Sequence, residues 1–127
     1  MFVLSMNLNL LFPSKVNNMK TLTFPEFAQG FKQCKINCFS EEGLSILYKH
    51  FKEDLPENLN SELFNPLRIK EVFAESTPYE VIYSFGFDID DNQPSWKFRP
   101  LVINALYQNY HYVGETENSI VHFRFDY

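Results

Sequence analysis

The chain has 127 residues, of which 45% are hydrophobic and 21% charged, and its formal net charge is −5. This balance predicts one globular domain with its own core. The negative charge disfavours direct binding to nucleic acid, which depends on lysine and arginine neutralising phosphates. Cys34 and Cys38 match neither a disulfide-rich secreted domain nor a complete zinc site, which would require His50, His111 or His122 to join them. We therefore expect reduced thiols, a cytoplasmic location, and neither metal nor cofactor.

The first eighteen residues differ in character from the rest of the chain. They are apolar as far as Phe12 but are interrupted by polar residues, lack a basic leading segment, and are too short to cross a bilayer. We expect neither a membrane anchor nor a signal peptide. Residues 1–18 are predicted to be a dispensable extension or an additional edge strand, and residues 19–127 to be a single domain.

Two helices are predicted in the first half of that domain. Thr23 and Glu26 have the spacing of a capping box, and Ser40 can cap a second helix that ends before Pro56. Apolar residues recur at helical spacing in both: Phe24, Phe27, Ala28 and Phe31 in the first, and Leu44, Leu47, Tyr48, Phe51 and Leu55 in the second. Both helices should therefore pack on the core.

The second half of the domain is predicted to mix strands with helices. Alternating polarity at positions 68–74 favours a strand, and Thr77 with Glu80 repeats the capping box before a short helix that Gly86 closes. Positions 88–99 are predicted as a loop, and a further helix is predicted to begin at Pro100. Two strands, at positions 110–113 and 120–127, complete the chain.

This order of elements predicts an α+β domain in which three to four helices pack on one face of a small antiparallel sheet. In the last strand, apolar residues alternate with polar ones, as in a sheet with one buried face. His122 is therefore expected to face away from the core. His50 is expected on the polar side of the second helix.

No local motif indicates catalysis. Asp88, Asp90 and Asn92 occupy the first, third and fifth positions of a calcium loop, but Gln93 stands where glycine is required and Arg99 where a bidentate glutamate belongs. The four glycines are scattered, so there is no glycine-rich phosphate loop. No histidine has a nucleophile beside it in the sequence. We therefore predict a protein that is not an enzyme; a catalytic site would have to be assembled by the fold.

Acidic residues are concentrated in the middle of the chain. Positions 39–91 contain twelve acidic and four basic residues, a net charge of −8, which leaves +3 elsewhere. Such a region either keeps the domain soluble or attracts a protein with a basic, nucleic-acid-binding cleft. Trp96, beside Phe98 in a predicted loop, is either an exposed interface anchor or a core residue. The residues predicted to contact a partner are Glu41, Glu42, Glu53, Asp54, Glu57, Asp88, Asp90, Asp91 and Trp96.

Several short stretches share a plan with a known group of proteins. They are Met19 with Thr21-Leu22-Thr23, Phe39-Ser40-Glu41-Glu42-Gly43-Leu44, Leu47-Tyr48, Phe73-Ala74-Glu75-Ser76-Thr77-Pro78-Tyr79-Glu80, and Tyr112-Val113 onward to Asp126. Over residues 19–127 the chain resembles small acidic proteins encoded by bacteriophages and plasmids. It differs from them in a less acidic linker and in the 88–99 loop. The resemblance implies a mobile-element accessory protein in the bacterial cytoplasm, a class in which blockers of host defence, including anti-CRISPR proteins, are expected.

Charge and resemblance together predict a non-enzymatic accessory protein that binds and inhibits a host protein through an acidic face, as an anti-CRISPR or antirestriction protein does by mimicking nucleic acid. The alternative is a small regulatory or assembly protein that forms a homo-oligomer through an exposed sheet edge. In that case the carboxylates only keep the protein soluble. A third hypothesis, an enzyme, requires histidine, cysteine and carboxylate groups that converge in one pocket.

Overall fold

A computed structural model describes residues 20–125. The predictions for residues 1–18 lie outside the described part of the chain. The elements, in chain order, are α1 Phe24–Gln33, α2 Glu41–Asp54, a 3₁₀ turn at Pro56–Leu59, α3 Pro66–Val72, β1 Phe73–Ser76, α4 Pro78–Phe85, α5 Ser95–Gln108, β2 Tyr112–Glu115 and β3 Ile120–Phe123. None of these helices is long and apolar enough to cross a membrane.

Three helices begin where the sequence predicts them. The Thr23 and Thr77 hydroxyls accept hydrogen bonds from the amides three residues later, and Glu26 and Glu80 accept from the amides of the two threonines. Ser40 Oγ accepts from the Gly43 amide at 2.9 Å and caps α2. These contacts satisfy amides that would otherwise lack acceptors, so the local sequence is sufficient to fix each start.

Two segments fold differently from the prediction. Positions 68–74, predicted as a strand, mostly belong to α3, because the Asn65 side chain caps that helix and Pro66 occupies its first turn. The strand begins only at Phe73. Helix α5 begins at Ser95 rather than Pro100, so the predicted 88–99 loop is shorter and Pro100 lies inside the helix.

The sheet has the strand order β1-β3-β2, and both pairings are antiparallel. Phe73 lies opposite Phe123 on one side of the central strand, and Gly114 lies opposite Val121 on the other, next to a register shift in β2. The outer edges of β1 and β2 pair with no further strand among residues 20–125.

Successive residues of β3 point to opposite faces, and helices cover both. Val121 belongs to a first core with Phe27 and other residues of α1 and α2, whereas Ile120 belongs to a second core with Phe98 and residues of α4 and α5. The α+β class with a small antiparallel sheet is confirmed. The helices, five in the described chain, lie on both faces instead of one.

The second covered face changes the positions of two histidines. His122 was expected to face solvent but is 3% exposed, because Phe85 of α4 covers it at a ring-centroid distance of 5.5 Å. His50, expected on the polar side of α2, packs edge-on against Phe73 and Phe123. Both expectations were wrong for the same reason: each histidine lies between a helix and the sheet.

Candidate functional site

All nine residues predicted to contact a partner are exposed. They fall in three places: Glu41 and Glu42 in the first turn of α2; Glu53, Asp54 and Glu57 at and after its last turn; and Asp88, Asp90 and Asp91 between α4 and α5, with Trp96 in the first turn of α5. The first two places are separated by about 18 Å, at ~1.5 Å per helical residue. The third belongs to the other layer, since neighbouring Ile89 packs on the second core. The predicted residues therefore do not form one continuous acidic face.

Asp90, between α4 and α5, closes a local turn. Asp90 Oδ1 accepts from the Asn92 amide at 2.9 Å, and Gln93 Nε2 donates to the Asp90 carbonyl at 2.7 Å. No group of three or more histidine, cysteine or acidic side chains within residues 20–125 is arranged to hold a metal ion.

The sequence left open whether Trp96 is an exposed interface anchor or a core residue. Trp96 is 72% exposed in the first turn of α5, whereas Phe98 is fully buried in the second core. Trp96, Pro100, Ile103 and Tyr107 follow one another at the spacing of a single helix face. We call these four residues the α5 stripe. Its aromatic ends are exposed, since Tyr107 is 66% accessible.

The α5 stripe borders the unpaired edge of β2. A cavity of about 500 Å³ lies there, lined by Pro100, Ile103 and Tyr107 together with Glu115 of the strand. On the other sheet face, a cavity of about 290 Å³ lies between α2 and β2 and is lined by residues that include Glu53 and Asp54. The edge of β2 therefore runs between a wall of α5 side chains and a wall of α2 side chains that includes Glu53, Asp54 and Lys49. The α5 stripe with Glu53, Asp54 and Glu115 is called the β2-edge surface below.

Several contacts hold the β2-edge surface in place. Arg99 donates to the carbonyls of Glu117 at 3.2 Å and Ser119 at 3.1 Å, so its guanidinium joins α5 to the turn between β2 and β3. Tyr112 donates its hydroxyl to Glu115 Oε1 at 3.0 Å. Burial and that carboxylate raise the pKa of Tyr112 to about 12, so the hydroxyl remains a donor and keeps Glu115 oriented.

Comparison of the chain with protein-family models, characterised proteins and solved structures finds no match. The function must therefore be inferred from the surface and side-chain geometry.

One acidic residue of the middle region has a structural role. Glu75 accepts hydrogen bonds from the Ser40 amide and hydroxyl, both at 2.7 Å, and from the Ser119 hydroxyl at 2.6 Å. Its carboxylate lies against Gly43, where a side chain would collide with it. Glu75 thus joins the start of α2 to β1 and to the hairpin, and its charge is already compensated by these donors and by the positive end of α2.

A polar pair that the sequence reasoning missed lies in β1 and β3. Ser76 Oγ is 2.9 Å from His122 Nε2, and His122 Nδ1 is 2.6 Å from the Phe123 carbonyl oxygen. Because a carbonyl can only accept, Nδ1 carries the proton and Nε2 accepts from the serine. Ser76 pairs with Ile120 and is therefore a diagonal neighbour of His122 on the same sheet face. The two residues are 46 positions apart, so only the strand register reveals the pair.

Proposed function

We propose that this protein binds a host protein through the β2-edge surface and inhibits it by occupying its functional cleft. The observation that carries this proposal is the exposure of Trp96 and Tyr107, at 72% and 66%, beside an unpaired strand edge. Large aromatic side chains supply most of the binding energy in many protein interfaces, and an open edge offers main-chain donors and acceptors.

The charges beside the stripe favour a basic partner. Glu53 and Asp54 are exposed on one side of β2, in a cavity that Lys49 also lines, and Glu115 at the end of the strand lies 3.5 Å from Arg99 Nη2. The three carboxylates and two cations leave this surface with a net negative charge. Carboxylates in such positions attract lysine and arginine from a distance and can replace phosphates in a nucleic-acid-binding cleft. Combined with the resemblance to phage and plasmid accessory proteins, this supports a role in countering a host defence system, as an anti-CRISPR or antirestriction protein.

Binding can be tested with two pairs of substitutions and a matched control. The tagged protein is incubated with a bacterial lysate at low and moderate salt, and the affinity for the captured partner is then measured by surface plasmon resonance. Trp96→Ala with Tyr107→Ala should weaken binding at least tenfold at every salt concentration. A tenfold change in affinity corresponds to about 1.4 kcal/mol of binding free energy. Glu53→Lys with Asp54→Lys should slow association and flatten its salt dependence.

The control is Glu62→Lys with Leu63→Ala, which changes one exposed charge and one exposed apolar side chain outside the two cavities at β2. It should leave the affinity unchanged. Equal binding by all three variants would exclude the β2-edge surface as the contact site.

A second candidate function is assembly into a homo-oligomer through the β2 edge and the α5 stripe, without the three carboxylates of the β2-edge surface. An antiparallel strand edge is self-complementary about a twofold axis, and the α5 stripe has no charge that would repel a second copy. Light scattering at several concentrations separates the two roles. A mass that doubles with concentration, and returns to that of the monomer after the Trp96→Ala/Tyr107→Ala change, would favour the oligomer.

A further inference from the structure

We propose that Ser76 and His122 act as a nucleophile and its general base, and that the protein hydrolyses small uncharged esters in the cavity beside β1. This activity is separate from the β2-edge surface, since β1 and β2 form opposite edges of the sheet.

The two hydrogen bonds of the imidazole have the geometry required for this role. Nε2 is 2.9 Å from Ser76 Oγ, within reach for taking the hydroxyl proton, and Nδ1 is held at 2.6 Å from the Phe123 carbonyl oxygen. Burial, reinforced by His111 and Arg124, lowers the pKa of His122, so the imidazole is neutral and able to accept a proton at pH 7.

The serine is accessible while the histidine is protected. Ser76 is half-buried and lines two cavities, of about 590 Å³ and 230 Å³, whereas His122 lines only the smaller one and is 3% exposed beneath Phe85. A substrate could therefore reach Ser76 Oγ without displacing the base. Tyr79 and Tyr83 on the wall of the larger cavity favour an ester with a flat, apolar group.

Donors for a developing oxyanion lie next to Ser76. Helix α4 begins at Pro78, which has no amide proton, and the Glu80 and Val81 amides donate to Thr77. The Tyr79 amide donates to no acceptor among residues 20–125, and Tyr79 lines the larger cavity with Ser76. Arg124 lines both cavities and uses Nε to bind the Lys70 carbonyl. The Tyr79 amide at the positive end of α4 and the Arg124 guanidinium therefore border a cavity that Ser76 lines, where they can donate to an oxyanion; Glu75 and Glu80 line the same cavity and oppose that stabilisation.

The reaction requires only the ester and water. Ser76 Oγ attacks the carbonyl carbon while its proton passes to His122 Nε2, and collapse of the tetrahedral intermediate expels the alcohol, which takes that proton. Water then attacks the acyl-serine and gives a proton to Nε2. The acyl–Oγ bond breaks, Ser76 Oγ takes that proton back from Nε2, and the carboxylic acid is released. Because a carbonyl instead of a carboxylate faces Nδ1, the imidazolium is stabilised less than in a full triad, and we expect slow turnover.

The test combines covalent labelling with hydrolysis of p-nitrophenyl acetate. Both are done in a Cys34→Ala/Cys38→Ala protein, because both thiols are exposed and thiols also attack aryl esters. A fluorophosphonate should add once, with the adduct mapped to Ser76, and hydrolysis should rise with pH as the imidazole loses its proton. Ser76→Ala should abolish both signals, and His122→Gln should reduce labelling at least a hundredfold.

Ser45→Ala is the matched control, because Ser45 is an exposed serine of α2 that lines neither cavity. It should keep the adduct. The alternative is that Ser76 only supplies a hydrogen bond to a buried imidazole. In that case the protein with Ser76 intact will carry no adduct, or hydrolysis will continue unchanged in Ser76→Ala. Either result overturns the proposal. Ser76→Ala should still bind the partner of the β2-edge surface, which keeps the two proposals separable.

Discussion

The two cores on either side of the sheet are built differently. In the first core, Phe27 is in ring contact with Phe31, Tyr48, Phe51 and Phe64, at centroid distances of 5.1 to 6.0 Å. The second core is mostly aliphatic around Phe98, and its helices expose large aromatics instead. The α1–α2 side thus uses its rings to stabilise the fold, whereas the α4–α5 side presents them to solvent, and the exposed aromatic residues of both proposed sites lie there.

The two cores are nevertheless joined through one strand. Ile120 and Val121 are consecutive residues of β3, fully buried in the second and the first core respectively. A change that shifts β3 on one side must therefore disturb packing on the other, and we expect the described domain to unfold as one cooperative unit.

The largest expected effect follows from Phe27→Ala, which removes the centre of the aromatic cluster. Truncating a buried phenylalanine typically costs about 3–5 kcal/mol, a large part of the stability of a small domain. Urea denaturation measures the loss. Hydrogen exchange should show that the amides of α5, on the other face, lose protection together with those of α1. Retained protection in α5 would show that the two cores are independent.

A smaller loss of stability is expected from a substitution where α2 packs against β2. A methyl group on Gly114 would lie 2.6 Å from Ile46 Cγ2, so Gly114→Ala should push the helix from the strand and cost about 1–3 kcal/mol. Adding Ile46→Ala removes the collision, so the double variant should be more stable than the two separate losses predict.

Gly86→Ala, on the α4–α5 side, is the control for this double-mutant comparison. Gly86 has φ +68°, and a methyl group added to it would have no neighbouring atom within 4 Å, so alanine there meets backbone strain without a collision. Ile46→Ala should not relieve that loss. Full additivity in the Gly114 pair, or rescue in the Gly86 pair, would contradict the packing argument.

Sequence reasoning succeeded where the determinants of structure are local. The hydroxyls of Thr23, Ser40 and Thr77 lie within three residues of the amides they cap, so their patterns are sufficient to predict α1, α2 and α4. Alternation in β3 was less informative, because a short strand covered on both faces can place a polar residue such as His122 in the interior. Phe85, the residue that covers His122, lies in α4, far from His122 in the sequence.

The candidate sites show the same limit. The sequence predicted exposure of Trp96 as one of two alternatives. It did not predict that Trp96 and Tyr107 share a helix face, because α5 begins at Ser95 and not at Pro100 as expected. The acidic residues were predicted as one face, although charge counted along a chain cannot show that a sheet separates Asp54 from Asp88. The Ser76–His122 pair depends on strand register, which no local pattern specifies.

The smallest expected effect is on the pH dependence of stability, which should differ between the two sides of the sheet. In the second core, burial lowers the pKa of His122 from 6.5, so below that pH the unfolded chain binds a proton that the folded protein resists. Its contribution to stability is therefore complete above about pH 6.5 and is lost as the pH falls, by at most about 1.4 kcal/mol per pH unit for one proton. At the start of α1, hydrogen bonds from Lys20 and Thr23 lower the pKa of Glu26 from 4.5 to about 2, so its contribution is lost only between those values.

Urea titrations from pH 8 to pH 3 separate these two windows. His122→Gln should flatten the stability curve below pH 6.5 and leave the Glu26 window unchanged, whereas Glu26→Gln should act only below pH 4.5. A His122→Gln protein that keeps the full slope between pH 6.5 and 5 would show that the imidazole is not the group that titrates there. Because Ser76 contacts the same imidazole, that result would also remove the electrostatic basis for a neutral general base at β1.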